Sequence, residues 1–86
     1  MVEKDIYIMT GNRLKHLREE RRLTVADLAK LLGCSEKQYI SFEDGSGKIN
    51  VDQIKIASAF YDVSVDFVVG ITEIRKWPAE SSLEYY

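Results

Sequence analysis

Cysteine and histidine are nearly absent from this sequence, which contains one of each among its 86 residues. A single cysteine, Cys34, excludes an internal disulfide and any zinc site built from cysteine pairs. A single histidine, His16, excludes a histidine cluster. The sequence also contains no motif for a nucleophile with its general base, for a set of metal ligands or for a phosphate-binding loop. We therefore expect a protein without metal or cofactor that is not an enzyme, with Cys34 as core filler and His16 facing solvent.

Long apolar runs and an excess of charge of one sign are absent as well. No window approaches 18 apolar residues, and the N-terminus lacks the plan of a signal peptide, which predicts a soluble cytoplasmic domain with no membrane partner. Twelve basic residues against fourteen acidic ones give a net charge of −2. A nucleic acid would therefore have to be bound by a local patch. The length and the hydrophobic share of 45% fit one small globular domain.

The sequence does contain a rapid succession of helix signals. Capping residues followed by apolar residues at helical spacing predict five short helices and no clear strand, which makes the fold class all-α. The predicted helices run from a cap at Thr10 or Asn12 to about Arg22, from Val25 to Leu32 after a cap at Thr24 that resembles a capping box with Asp27, from a cap at Ser35 to about Asp44, from a cap at Asn50 through Phe60, and from Val65 to Val69 after a cap at Ser64. The fourth helix carries its apolar residues at Val51, Ile54, Ala57 and Phe60.

The two ends of the chain differ from this helical middle. Residues 6–9 form a short apolar run that fits a strand or an extended arm. Beyond Gly70, apolar residues recur every three positions at Ile71, Ile74 and Trp77. We therefore divide the chain into an N-terminal extension (1–11), a five-helix domain (12–70) and a C-terminal extension (71–86).

The joint between the second and third helices is the most informative feature. A helix ends at Gly33, and a second capped helix begins two residues later at Ser35. This is the plan of a helix-turn-helix, in which a short turn holds one helix across the other. Ala29 allows a close crossing because its side chain is small, and Gly33 supplies the backbone conformation of a sharp turn.

The wider context of this joint resembles one family. The resemblance is carried by residues 13–21 (RLKHLREER), 23–24 (LT), 27–35 (DLAKLLGCS), 42–45 (FEDG) and 63–70 (VSVDFVVG). These segments are similar to the lambda-repressor-like (Cro/repressor-type, XRE) helix-turn-helix family. The resemblance implies a five-helix domain over residues 12–70 that binds double-stranded DNA, usually as a dimer, and regulates transcription at a palindromic operator. It also implies an ion pair between Arg18 and Glu43, and the register of the third helix puts Glu43 on its inner face beside Tyr39.

Helical geometry divides the third helix into an inner and an outer face. Tyr39 and Phe42 belong to the inner face, so the candidates for base contacts are the outward or marginal residues Glu36, Lys37, Gln38 and Ser41. Ile40 is an outward apolar residue that could meet a thymine methyl group or simply lie exposed. Phosphate contacts are expected around the first turns of helices two and four, where free N–H groups favour anions. The candidates there are Thr24, Lys48 and Asn50, the amides of Ser46 and Gly47, and Val25, which stands where the family most often has a phosphate-contacting glutamine.

Two functional hypotheses follow. The first is a sequence-specific DNA-binding transcriptional regulator, favoured as a repressor. The alternative is an antitoxin-like or adaptor module with weak or no DNA binding, which is motivated by Val25 and by the four carboxylates against two lysines in residues 24–44. We also expect a homodimer, because several apolar residues have no place in the five helices: Ile6, Ile8, Ile71, Ile74, Trp77 and Leu83. The other possibility is that both ends fold back over their own domain.

Overall fold

The computed structural model describes residues 2–75, with side chains from Ile6 onward. Within this range the chain forms five helices and no strand, which confirms the all-α prediction. They are α1 (Val2–Glu20), α2 (Val25–Leu32), α3 (Glu36–Asp44), α4 (Val51–Tyr61) and α5 (Val65–Val68). Across the same residues, none of the helices is both long and apolar enough to cross a membrane.

The first helix begins earlier than the sequence suggested. Neither Thr10 nor Asn12 caps it, and residues 6–9 are helical rather than a strand or an extended arm. The Thr10 hydroxyl donates to the Ile6 carbonyl oxygen at 2.8 Å, one turn back inside the helix. Packing explains the difference, since Ile8 lies against Gly45 and Met9 against Gly70. These contacts with distant turns stabilise helical backbone that local sequence alone leaves undecided.

The last turn of α1 ends two residues before the predicted Arg22. Arg22 itself adopts a left-handed conformation with φ of 56°. The Leu23 amide then donates to the Arg18 carbonyl oxygen at 3.0 Å and closes the helix. This arrangement leaves the Arg21 guanidinium free to donate to the carbonyl oxygens of Phe60 and Tyr61, at 3.4 and 3.0 Å, which caps the end of α4.

The caps predicted for α2 to α5 are present. Thr24 and Asp27 form a reciprocal capping box at the start of α2. A second box, between Asn50 and Gln53, starts α4. The hydroxyls of Ser35 and Ser64 each accept a backbone N–H in the first turn of α3 and α5. Local polar residues therefore fix where these four helices begin.

On α4 the apolar residues do not share one face. Residues 51 and 60 are nine positions apart, which at 100° per residue places them on opposite sides of a helix. Val51 and Phe60 are accordingly exposed, and Ile54 is only partly buried. The buried residues of α4 are Ala57, Ser58 and Tyr61.

The core is formed by buried residues from all five helices together. Leu14 and Leu17 of α1 lie at its centre. The other buried apolar residues are Leu28, Ala29, Leu32, Tyr39, Phe42, Ile49, Ala57, Tyr61, Val63, Phe67 and Val68. Cys34 is half-buried against this cluster, and burial raises the pKa of its thiol. His16 lies exposed on α1, 3.2 Å from Glu20, as expected.

After α5 the chain turns at Gly70 and residues 71–75 fold back against the domain; we call this segment the strap. The Ser64 amide donates to the Arg75 carbonyl oxygen at 2.7 Å. The Arg75 guanidinium donates to both carboxylate oxygens of Glu20, at 2.8 and 2.7 Å, and lowers the pKa of that carboxyl. Ile71 and Ile74 nevertheless stay exposed. Trp77 and Leu83, the other apolar residues of the C-terminal extension, lie outside the described residues.

Candidate nucleic-acid interface

The turn between α2 and α3 consists of three residues. Gly33 adopts φ of 69° and ψ of 39°, and no atom beyond its two chain neighbours lies within 4 Å of the position a Cβ would take. Glycine is therefore favoured here by backbone conformation and not by lack of space. The Cys34 amide donates to the Ala29 carbonyl oxygen at 2.9 Å, and Ser35 then caps α3. The turn fixes the direction in which α3 leaves α2.

The outer face of α3 is exposed along its length. Tyr39 and Phe42 are buried on the inner face, as predicted. The exposed side chains are those of Glu36, Lys37, Gln38, Ile40 and Asp44. Ser41 lies at the margin, half-buried, and its hydroxyl donates to the Gln38 carbonyl oxygen at 2.6 Å. Its oxygen is left as an acceptor for an incoming donor.

Arg18 joins three elements at the end of α3. Its Nε and Nη2 donate to the two carboxylate oxygens of Glu43, at 2.6 and 3.1 Å, so the predicted ion pair is present and bidentate. Its Nη1 donates to the Leu23 carbonyl oxygen at 3.1 Å, just before α2. The two side chains are only 15% and 10% exposed, and the bond to Glu43 raises the pKa of Arg18. The start of α2 is thereby held beside the end of α3.

Two buried tyrosines lie close to this ion pair. Tyr39 and Tyr61 are almost completely inaccessible, and neither hydroxyl has a hydrogen-bond partner among the described residues. Burial, followed by the nearby carboxylate of Glu43, raises the pKa of Tyr39. Burial also raises the pKa of Tyr61 to about 12. Both rings therefore stay neutral at any physiological pH.

The loop between α3 and α4 is held against the last turns of α3. The Gly47 amide donates to the Ser41 carbonyl oxygen at 2.9 Å. The Ser46 amide and hydroxyl both donate to Asp44 Oδ1, at 2.8 and 2.6 Å, and lower the pKa of that carboxyl. Both candidate amides thus already have an acceptor inside the protein, and a phosphate would compete for them. The side chain of Lys48, the next residue, is exposed.

The other candidate phosphate contacts lie at the two capped helix starts. Thr24 and Asn50 use their side-chain oxygens to accept a backbone N–H, which leaves the Thr24 hydroxyl hydrogen and the Asn50 NH₂ group as donors. Val25 is half-buried against the core and offers only its backbone N–H. Asp27 stands in the same first turn, and its bonds to Thr24 lower the pKa of its carboxyl.

A family model for the helix-turn-helix domain matches residues 11–67 of this chain. The chain belongs to the helix-turn-helix domain family. The chain is also 38% identical over 65 residues to an uncharacterized HTH-type transcriptional regulator, YobD, of Bacillus subtilis (strain 168). The aligned part covers 76% of this chain and 58% of that protein, so the chain spans little more than half of its relative's length. No solved structure gives a significant match.

One part of the helix-turn-helix domain was missed by sequence reasoning. Asn12 and Lys15 of α1 line a surface groove together with Ile40, Glu43 and Asp44 of α3. From the sequence alone, helical spacing puts Lys15 one turn from both Gly11 and Arg18, on the same side of α1. Without the crossing of α1 and α3, nothing indicated that this side lies beside the outer face of α3.

Proposed function

We propose that this helix-turn-helix protein is a sequence-specific DNA-binding transcriptional regulator. In this proposal it acts as a repressor, with α3 as the recognition helix in the major groove of a palindromic operator. The observation that carries the proposal is the outer face of α3, which begins directly after a rigid three-residue turn and presents Lys37 and Gln38 without burying either. A recognition helix needs such a face at its N-terminal end.

The chemistry of this face suits base edges. Lys37 can donate to the O6 and N7 acceptors of guanine, and Gln38 can pair with adenine. Glu36 can accept from the N4 amino group of cytosine, and Ser41 adds a further acceptor. Four side chains of mixed donor and acceptor character favour a defined sequence over DNA in general.

The flanking elements supply candidates that position α3 on the phosphate backbone. Arg18 links the start of α2 to the end of α3, and the Gly47–Ser41 bond does the same for the loop before α4. The phosphate contacts in this proposal are made by Thr24, Val25, Lys48 and Asn50, with Ser46 and Gly47 in the same loop. Such contacts fix orientation and carry no sequence information directly.

Charge does not oppose the proposal as strongly as composition suggests. Four carboxylates stand against two lysines in residues 24–44. Glu43, however, is neutralised by Arg18, and Asp44 is turned toward the donors of Ser46. The outer face of α3 then presents Glu36 and Asp44 against Lys37, so affinity depends on a few well-placed contacts.

We further propose that the protein binds as a homodimer through the exposed apolar residues of the strap. One recognition helix reads only a few bases, and two-fold pairing places a second one about 34 Å away. Ile71 and Ile74 are 65% and 70% exposed, so serine at both positions should leave the monomer folded. Sedimentation of the full chain at tens of micromolar should show a dimer that this double variant loses. A monomeric wild type would contradict the dimer unless DNA itself drives pairing.

The proposal is tested by titrating labelled DNA from the gene's own upstream region at several salt concentrations. Specific binding with a steep salt dependence is expected, because each neutralised phosphate adds about 0.9 to the slope of log affinity against log salt. Lys37→Ala and Gln38→Ala should each weaken operator binding by about 1–3 kcal/mol while unrelated DNA is bound as before. Lys48→Ala is the matched comparison and should weaken all sequences equally. No binding at low salt would favour the adaptor hypothesis instead.

A further inference from the structure

We infer that Lys15 on α1 contacts a DNA phosphate beside the recognition helix, so that the DNA interface includes the first helix. This inference rests on the proposed function and extends it to a residue outside the α2–α3 pair.

The geometry begins with a surface groove of about 380 Å³ between α1 and α3. Asn12 and Lys15 line it from α1, and Ile40, Glu43 and Asp44 line it from α3. Ile40 and Asp44 belong to the outer face of α3, the same face that presents Lys37. The groove therefore opens beside the proposed reading surface.

Two contacts hold α1 and α3 together on either side of Lys15. At Gly11, a Cβ would come within 2.4 Å of the carbonyl oxygens of both Phe42 and Glu43, so the two backbones touch. One turn beyond Lys15, Arg18 binds Glu43 with two hydrogen bonds. Lys15 lies between these points on the same side of α1, and its position relative to α3 is fixed by both.

The charges in the groove single out Lys15. The Glu43 carboxylate is paired with Arg18, and Asp44 Oδ1 accepts two hydrogen bonds from Ser46. Among the described residues, no carboxylate lies within 4.0 Å of the Lys15 ammonium group. Lys15 is exposed, so its ammonium group is accessible to an anion from solvent.

The anion that this arrangement fits is a phosphodiester. A helix inserted in the major groove is bounded on both sides by phosphate backbones, and a residue beside its outer face meets one of those walls. Lysine binds phosphate as a point charge and needs no fixed fork geometry. Asn12, which lines the same groove, offers an additional amide donor.

The experiment compares the salt dependence of DNA binding by the wild type, Lys15→Ala, Lys15→Arg and Lys30→Ala in the full chain. Lys30 is an exposed lysine in the last turn of α2, at the opposite end from Thr24, and is the matched control. Operator DNA and an unrelated duplex are both titrated. Thermal melts of all four proteins verify that the variants remain folded.

We expect Lys15→Ala to reduce the slope of log affinity against log salt by about 0.9 for each protomer bound, on both duplexes. The ratio of wild-type to variant affinity should therefore shrink roughly eightfold for each tenfold increase in salt. Lys15→Arg should retain the wild-type slope, and Lys30→Ala should match the wild type. Equal slopes for Lys15→Ala and the wild type, or equal losses in Lys15→Ala and Lys30→Ala, would overturn the inference while the proposed function stands. A wild type that binds no DNA would overturn both.

Discussion

Replacing Glu43 by alanine should destabilise the protein strongly, because the Arg18 guanidinium would keep its charge and lose both carboxylate acceptors. The pair is bidentate, at 2.6 and 3.1 Å, and both side chains are largely inaccessible. Removing one partner of a buried pair costs about 3–5 kcal/mol. With exposures of 15% and 10%, we expect the lower end of this range, about 3 kcal/mol.

A loss of this size is readily measured by thermal unfolding. For a domain of this length, 1 kcal/mol corresponds to about 4–8 °C, so the melting temperature should fall by about 12–24 °C. The melting temperature of Arg18→Lys should fall by a similar amount, because an ammonium group cannot make two parallel hydrogen bonds to Glu43 and also reach the Leu23 carbonyl oxygen. Glu19→Ala changes an exposed residue next to Arg18, and its free energy of unfolding should stay within about 0.5 kcal/mol of the wild-type value.

The double variant Arg18→Met with Glu43→Leu tests the reasoning further. Replacing both charges by apolar groups removes the stranded charge, so it should be more stable than Glu43→Ala alone. A melting temperature of Glu43→Ala within two or so degrees of the wild type would refute the argument. So would a double variant whose loss equals the summed losses of Arg18→Met and Glu43→Leu measured singly, since the two residues would then be uncoupled.

Three further outcomes are expected. Gly11→Ala should lower stability by about 1–3 kcal/mol in a thermal melt, because its methyl would lie 2.4 Å from two α3 carbonyl oxygens; an unchanged melt would contradict that crossing. Arg75→Ala should speed hydrogen exchange at the Ser64 amide, which the strap protects, and unchanged exchange would show that Arg75 does not hold the strap. Raising the pH from 10 to 12 should lower the free energy of unfolding, because folded Tyr61 keeps its proton to a pKa of about 12 whereas the unfolded side chain has a pKa near 10.0. Stability therefore falls as pH rises through this window, and Tyr61→Phe, followed by circular dichroism, should reduce the slope; an equal slope would contradict this.

The parts of the fold that the sequence predicted well are those controlled by neighbouring residues. Thr24 with Asp27, Ser35 and Gly33 each act over one turn, so the ends of α2 and α3 follow from local capping and backbone conformation. The Arg18–Glu43 pair is long-range, and it was predicted from the family resemblance together with the register of α3.

The parts that the sequence did not predict depend on contacts between distant segments. The helical state of residues 6–9 depends on Ile8 and Met9 packing against turns at Gly45 and Gly70. The buried face of α4 depends on which side of the helix the core lies. Apolar residues three positions apart drift around a helix, so those between Val51 and Phe60 could not define one face. For the candidate interface, the third helix was predictable from its own register. Lys15 was not, since its role depends on where α1 crosses α3.

That crossing has a mechanical consequence. At Gly11 the two helices meet backbone against backbone, so there is no side chain that could change rotamer and let one helix slide along the other. Because the Arg18–Glu43 ion pair lies about two turns further along, α1 and α3 are joined at two points and must move as one body. The tilt of α3 is then set by a helix of 19 residues, about 28 Å long, as well as by the three-residue turn that precedes it. A displacement of the first helix would therefore also change the orientation of the third.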